Sequence, residues 1–178
     1  MSNPCHKVLV VDLEMTTYEG DFPEGETRDI IEVGFCTWDS ALDTISEPIS
    51  YYVLPERSTV SPYCTELTGL TPQKLSRMGT SLQRVCDLLK MRGSLNKAWA
   101  GFGSDASILR AQCREQQCTY PFGESYYDVS SLYTLITGER GGLKTCLKKQ
   151  GLEWEGTEHR ARWDAYNTAK LLRSLLKK

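Results

Sequence analysis

Lys7-Val8-Leu9-Val10-Val11-Asp12-Leu13-Glu14 is an aliphatic, β-branched run that ends in two acids. Such a run, apolar at successive positions, has the texture of a strand buried on both faces at the centre of a sheet. Asp12 and Glu14 stand two residues apart at its C-terminal end, so a regular strand points both carboxylates to the same side. Like charges placed that close repel and raise each other's pKa unless a cation neutralises them. Hard, oxygen-liganded ions such as Mg²⁺ or Mn²⁺ suit the pair best. The competing reading at this point is a strand running into a solvated acidic turn.

Working outward, Tyr18 to Asp29 is acidic and carries Gly20, Pro23 and Gly25, the composition of a loop lying beside the acidic pair. Asp29 to Trp38 reads as a second strand and Ile45 to Leu54 as a third that stops before Pro55, which together predict an antiparallel meander. After Pro62 the texture changes, and two helices follow. Thr71-Pro72 supplies a cap followed by proline at the first helical position, and Ser81 to Met91 places Leu82, Val85, Leu88 and Leu89 on one side. Lys97 to Gly101 is a short fourth strand leading into a helix from Ser104 to Gln117, and Tyr126 to Val129 is a fifth. Helices over 130–136 and 143–149 are closed by Gly138 and Gly151, and Asp128 reads as a cap. A last helix over 161–176 carries Ala165, Ala169, Leu172 and Leu176 on one stripe. The expected fold is α/β, a mixed five-stranded sheet flanked by helices.

The 178 residues, 40% hydrophobic and 25% charged, are expected to form one domain with its core over about 7–176 and enough buried surface to need no disulfides. No apolar run approaches bilayer length, so no membrane association is expected, and no N-terminal targeting pattern stands out, which makes the cytoplasm the expected compartment. Seven cysteines without any Cys-x-x-Cys pair, beside only two histidines, argue against zinc and for free, mostly buried thiols. The net charge of −2 conceals a gradient: residues 1–62 hold 12 acids and 3 bases, whereas 139–178 hold 5 acids and 10 bases. That distribution can set a carboxylate cluster against basic groups suited to phosphates.

Three further residues join the acidic pair. Asp105 opens the helix after the fourth strand, where capping alone accounts for it. Asp164 lies in the first turn of the last helix, aligned with Thr168, Leu171 and Leu175, and so faces inward. His159 precedes it by five residues in a basic stretch, a position suited to a general base beside a metal site. The ordered set Asp12-x-Glu14, Asp105, His159-x-x-x-x-Asp164 resembles the DnaQ-like, DEDDh-type 3′→5′ exonucleases of the ribonuclease H-like fold. Val10 to Thr16, Ile30 to Gly34, Cys64 to Thr71 and His159 to Ala169 are most similar to the ERI-like and KapD-like branch, which is associated with single-stranded RNA 3′ ends. The tyrosine variant of the signature does not fit, because position 160 is Arg. Arg162-Trp163 departs from the family pattern and predicts unusual substrate contacts.

The resemblance implies a phosphodiester hydrolase using two divalent ions, Mg²⁺ or Mn²⁺, held by Asp12, Glu14, Asp105 and Asp164, with His159 as the proton acceptor. It places Met15 and Thr16 at the terminal base and sugar. Leu67 and Leu70 form a candidate second wall, with core packing the alternative for Leu70, and Phe102 is a candidate stacking residue or an ordinary core side chain. The expected product is a nucleoside 5′-monophosphate and the expected partner single-stranded RNA, with a protein partner as a further source of specificity. A DNA-acting exonuclease, a non-catalytic nucleic-acid-binding module and a structural Ca²⁺ protein are the alternatives; for the last, the acids are too scattered to form one loop.

Overall fold

The structure, a computed structural model, describes residues 6–177. β1 (Lys7–Met15) pairs antiparallel with β2 (Ile30–Asp39) and parallel with β5 (Ala98–Gly101), which in turn pairs parallel with β6 (Tyr126–Asp128). The sheet thus combines an antiparallel half with a parallel half, and β1 lies at the junction.

The third strand expected over 45–54 is two pieces, β3 (Thr44–Ile45) and β4 (Ile49–Tyr52), both antiparallel to β2, so the sheet has six strands rather than five. Between the pairs Trp38↔Ile45 and Phe35↔Ile49, three steps along β2 face four along its partner. Pro48 falls in this gap and has no N–H to continue the ladder, so the strand bulges there.

Alternation along β1 sorts the core. Leu9, Val11 and Leu13 pack with Val85 and Leu89 of α3 (Leu82–Met91) and Leu109 and Cys113 of α4 (Asp105–Glu115). Val10 points the other way, to Val129 and Tyr133 of α5 (Val129–Thr137), Leu147 of α6 (Leu143–Lys149) and Leu172 of α7 (Ala161–Leu176). Asp12 shares the parity of Val10 and therefore leaves the sheet on the face of α7.

Between β4 and α3 run two short helices, α1 (Pro62–Thr68) and α2 (Pro72–Met78). Their caps are built alike: Ser61 accepts from the Cys64 N–H and Thr71 from the Lys74 N–H, each followed by proline at the first helical position. α1 was not anticipated, because only Cys64 and Thr68 of its seven residues are buried and no periodicity can emerge. Ser61-Pro62 together with Gly69, which closes α1 at φ 68°, was the available signal. Of the cysteines, Cys5 lies outside the described residues; the other six are free, and all but Cys118 are buried. Among the described residues no helix is long and apolar enough to cross a membrane.

Candidate active site

Three elements bring the acids together. β1 supplies Asp12 and Glu14, and α7 supplies Asp164; one carboxylate oxygen from each lies within 4.8 Å of the others. The close seat of α7 depends on Gly34, which pairs with Asp12 across β1 and β2 and faces the same way. A Cβ at Gly34 would stand 1.9 Å from the Ala161 carbonyl carbon and 2.1 Å from the Arg162 nitrogen. No side chain fits, so the backbone at the start of α7 rests on the sheet and Asp164, one turn on, reaches β1.

Asp105 arrives from the parallel half. β5 lies beside β1, and the chain turns after Gly101 to begin α4 with Asp105 in its first turn. Asp128 fixes that turn as well as capping α5: its Oδ1 accepts from the Gly103 N–H at 2.8 Å and the Ser130 N–H at 2.9 Å. Tyr126 donates its hydroxyl to the Gly103 carbonyl oxygen at 2.9 Å.

Loss of water dominates the electrostatics. Burial, then the neighbouring carboxylates, raises Asp12 well above the ordinary range, and burial followed by the charge of Asp164 brings Glu14 to about 8. Asp105 is pushed up to about 7, first by burial and then by Asp128 and Asp164. Asp164 is likewise raised to about 7 by burial, although the Arg160 N–H donates to its Oδ2 at 3.0 Å and pulls the other way. Asp105 also has a buried Oδ2 with no hydrogen-bond partner. Three clustered carboxylates short of water, with Asp105 repelling them from nearby and holding an orphaned oxygen, match the needs of a hard divalent cation.

His159 is exposed and takes the left-handed conformation at φ 58°, directly before the Arg160 whose N–H donates to Asp164. The next residue, Arg160, reaches back to β2: its Nε and Nη2 donate to the two carboxylate oxygens of buried Glu32, each at 3.1 Å, and Nη2 also donates to the Tyr52 hydroxyl at 2.8 Å. Ser50 donates to Glu32 as well. Glu32 pairs across the strands with Glu14, and the Arg160 charge offsets part of the upward pressure on Glu14.

The chain is similar to known proteins over most of its length. The exonuclease (RNase T) family profile matches residues 9–172. The chain belongs to this exonuclease family. It is 27% identical over 177 residues to 3′-5′ exoribonuclease 1 of Homo sapiens, covering 92% of this chain and 50% of that protein. It is 26% identical over 200 residues to 3′-5′ exonuclease eri1 of Schizosaccharomyces pombe, covering 94% of this chain and 67% of the relative. The chain thus spans half the length of the human protein. The nuclease domain of 3′hExo, a DEDDh family member bound to rAMP, superposes with a TM-score of 0.84 at 25% identity, over 97% of this chain and 92% of that one. The Mg²⁺- and Mn²⁺-bound form of S. pombe Pop2p shares the fold at a TM-score of 0.76 and 16% identity, over 96% of this chain and 83% of that one.

In this chain the residues expected on the substrate side divide into two groups. Met15, Leu67 and Phe102 are half-buried, with surface left to offer. Thr16 and Leu70 have none. The Thr16 hydroxyl accepts from the Asp29 N–H at 2.9 Å and meets the Ser58 hydroxyl at 2.5 Å, which ties the acidic loop to the segment before α1. Leu70 lies in a separate core with Ile31, Cys64 and Leu75. The base and sugar contact expected of the Thr16 side chain is therefore corrected to a structural role, and of the two readings of Leu70 the buried side chain fits core packing and not the substrate wall. Sequence reasoning passed over Glu32 and Arg160; a glutamate inside an otherwise apolar strand was the signal that a buried cation partner had to exist. A cavity of about 950 Å³ opens at the opposite end of β1, lined by Val8, Trp38, Leu95 and Leu172 among others, and holds none of these acids.

Proposed function

We propose that this exonuclease hydrolyses single-stranded RNA from its 3′ end and releases nucleoside 5′-monophosphates. The observation that carries the reading is the meeting of Asp12, Glu14 and Asp164, with Asp105 in electrostatic range of Asp12; His159 lies on the exposed segment that leads into the helix of Asp164. Preference for RNA is supported by relatives named as exoribonucleases and by a structural relative bound to rAMP.

Asp12, Glu14, Asp105 and Asp164 would hold two divalent ions, Mg²⁺ or Mn²⁺, which when bound stabilise negative charge on the phosphate and the leaving oxygen. His159 accepts the proton of the attacking water on a ring nitrogen. Water oxygen adds to phosphorus and the P–O3′ bond to the preceding nucleotide breaks. The freed 3′ oxygen takes up a proton, so the shortened strand again ends in a hydroxyl. Met15, Leu67 and Phe102 hold the terminal nucleotide by apolar and stacking contacts.

The test is hydrolysis of a 5′-labelled RNA oligomer and its DNA counterpart with Mg²⁺ or Mn²⁺, beside chelator and the Asp12→Asn protein. A ladder shortening from the 3′ end on RNA, lost with chelator and with the substitution, is expected. Faster DNA cleavage would move the substrate to DNA, and binding of both strands without cleavage under either ion would sink the catalytic reading.

A further inference from the structure

The segment that carries His159 is anchored on both sides. On the side before it, the Trp163 ring lies so close over Gly156 that a Cβ there would stand 2.1 Å from Cδ2 and 2.3 Å from Cγ. Gly156 has φ 75°, a conformation that favours glycine, and no bulkier residue would admit the indole. Buried Asn167 ties the neighbouring residue to α7 in both directions: its Oδ1 accepts from the Glu155 N–H at 3.1 Å, and its Nδ2 donates to the Glu155 carbonyl oxygen at 2.8 Å. The same Nδ2 donates to the Trp163 carbonyl oxygen at 2.9 Å, so the fastening and the indole share one turn of helix. Lys170 adds a bond to the Glu153 carbonyl oxygen at 2.5 Å and one to the Glu155 carboxylate at 2.6 Å. On the side after it, Arg160 is held by Glu32 and Tyr52. His159 itself lies between these anchors in the left-handed conformation, which is uncommon for a residue with a side chain.

We propose that Trp163 is a positioning residue for His159: the indole seated on Gly156, opposite the Arg160–Glu32 ion pair, fixes the segment from 155 to 160 and presents the imidazole to the acid cluster in one arrangement. The inference rests on the reading of His159 as the proton acceptor. It gives the Arg162-Trp163 departure a task in the geometry of catalysis in place of substrate contact. The Arg162 guanidinium, 5.3 Å from the Trp163 ring centroid, and the Tyr166 ring, edge-on at 6.1 Å, hold the indole in turn.

A double-mutant cycle tests it. Trp163→Ala is expected to lower kcat on the RNA oligomer roughly tenfold to a hundredfold, the scale of a catalytic group displaced by about 1 Å. KM and Mn²⁺ affinity stay unchanged. In a His159→Ala background the same substitution should cost nothing further, because there is no imidazole left to misplace. Trp163→Phe should recover most of the rate, and Gly156→Ala, which displaces the ring from the other side, should reproduce the loss. Equal losses with and without His159, or no loss at all, would overturn the proposal. Imidazole resonances give a readout independent of activity. With only two histidines in the chain, the His159 signals are assigned by their disappearance in His159→Ala. One narrow set that broadens or splits in Trp163→Ala is expected, and identical spectra in the two proteins would reject the clasp even if the wild-type chain cleaved neither RNA nor DNA.

Discussion

Leu70 and Met15 separate packing from recognition at the scale of single side chains. Leu70 has no exposed surface, so Leu70→Ala should cost about 2–5 kcal/mol of stability, measured by denaturant unfolding, with KM unchanged. Met15 is half-buried beside the acids, and Met15→Ala should raise KM with a smaller change in stability. A KM increase in the Leu70 variant at a temperature where it remains folded would return that residue to the substrate wall. Asp12→Asn should abolish hydrolysis and yet leave the metal-free protein at least as stable as wild type at neutral pH, because the amide carries no charge among the other acids. A lower melting temperature for that variant without metal would show that the Asp12 carboxylate stabilises the fold. The meeting of Asp12, Glu14 and Asp164 was legible because Asp12 and Glu14 stand two residues apart near the end of one strand and Asp164 lies in the first turn of the last helix. The Arg160–Glu32 pair was not, since its partners are separated by 128 residues and either alone passes for a surface charge or an irregular strand.

Elements matter here through where they touch, and Gly34 is the point of contact between β2 and α7. In Gly34→Ala the added carbon would overlap the backbone of Ala161 and Arg162, and backbone in a first helical turn cannot swing aside as a side-chain tip can. Overpacking of that kind costs about 1–3 kcal/mol, and here it also lifts Asp164 away from Asp12 and Glu14. The urea midpoint should fall and Mn²⁺ affinity should weaken together, the second read by calorimetry on protein that remains folded. Wild-type affinity in a destabilised Gly34→Ala protein would mean that α7 is seated by its other contacts. The antiparallel pairing of β1 with β2 was readable because both are long apolar runs in succession. The division between β3 and β4 is not legible because a one-residue bulge at Pro48 leaves no mark in hydrophobic periodicity, and α1 is not legible because only two of its seven residues are buried.

Across the whole molecule, the four raised carboxyls tie stability to pH and to metal. Each has a folded pKa above its unfolded value near 4, so the native state binds more protons than the unfolded chain at intermediate pH. Their contribution is full below about pH 4 and declines as pH rises through about 7 to 8, where the folded groups finally ionise beside one another. Asp43, held down to about 2 by hydrogen bonds from Arg173 and Lys177, acts in the opposite sense, but its stabilising contribution is lost only as pH falls below the unfolded value, outside this window. Metal-free protein should therefore melt at a higher temperature near pH 5 than near pH 8. Divalent cations bind the ionised native cluster and not the unfolded chain, so they should reverse this trend, with a gain of about 2.7 kcal/mol when the ion is at a hundred times its Kd. The rise in melting temperature with Mn²⁺ should be large at pH 8, small at pH 5 and absent in Asp12→Asn. A metal-free melting temperature that climbs from pH 5 to 8, or a Mn²⁺ effect of equal size at both, would mean that the acids are solvated and neutralised singly and do not form one proton-sharing cluster.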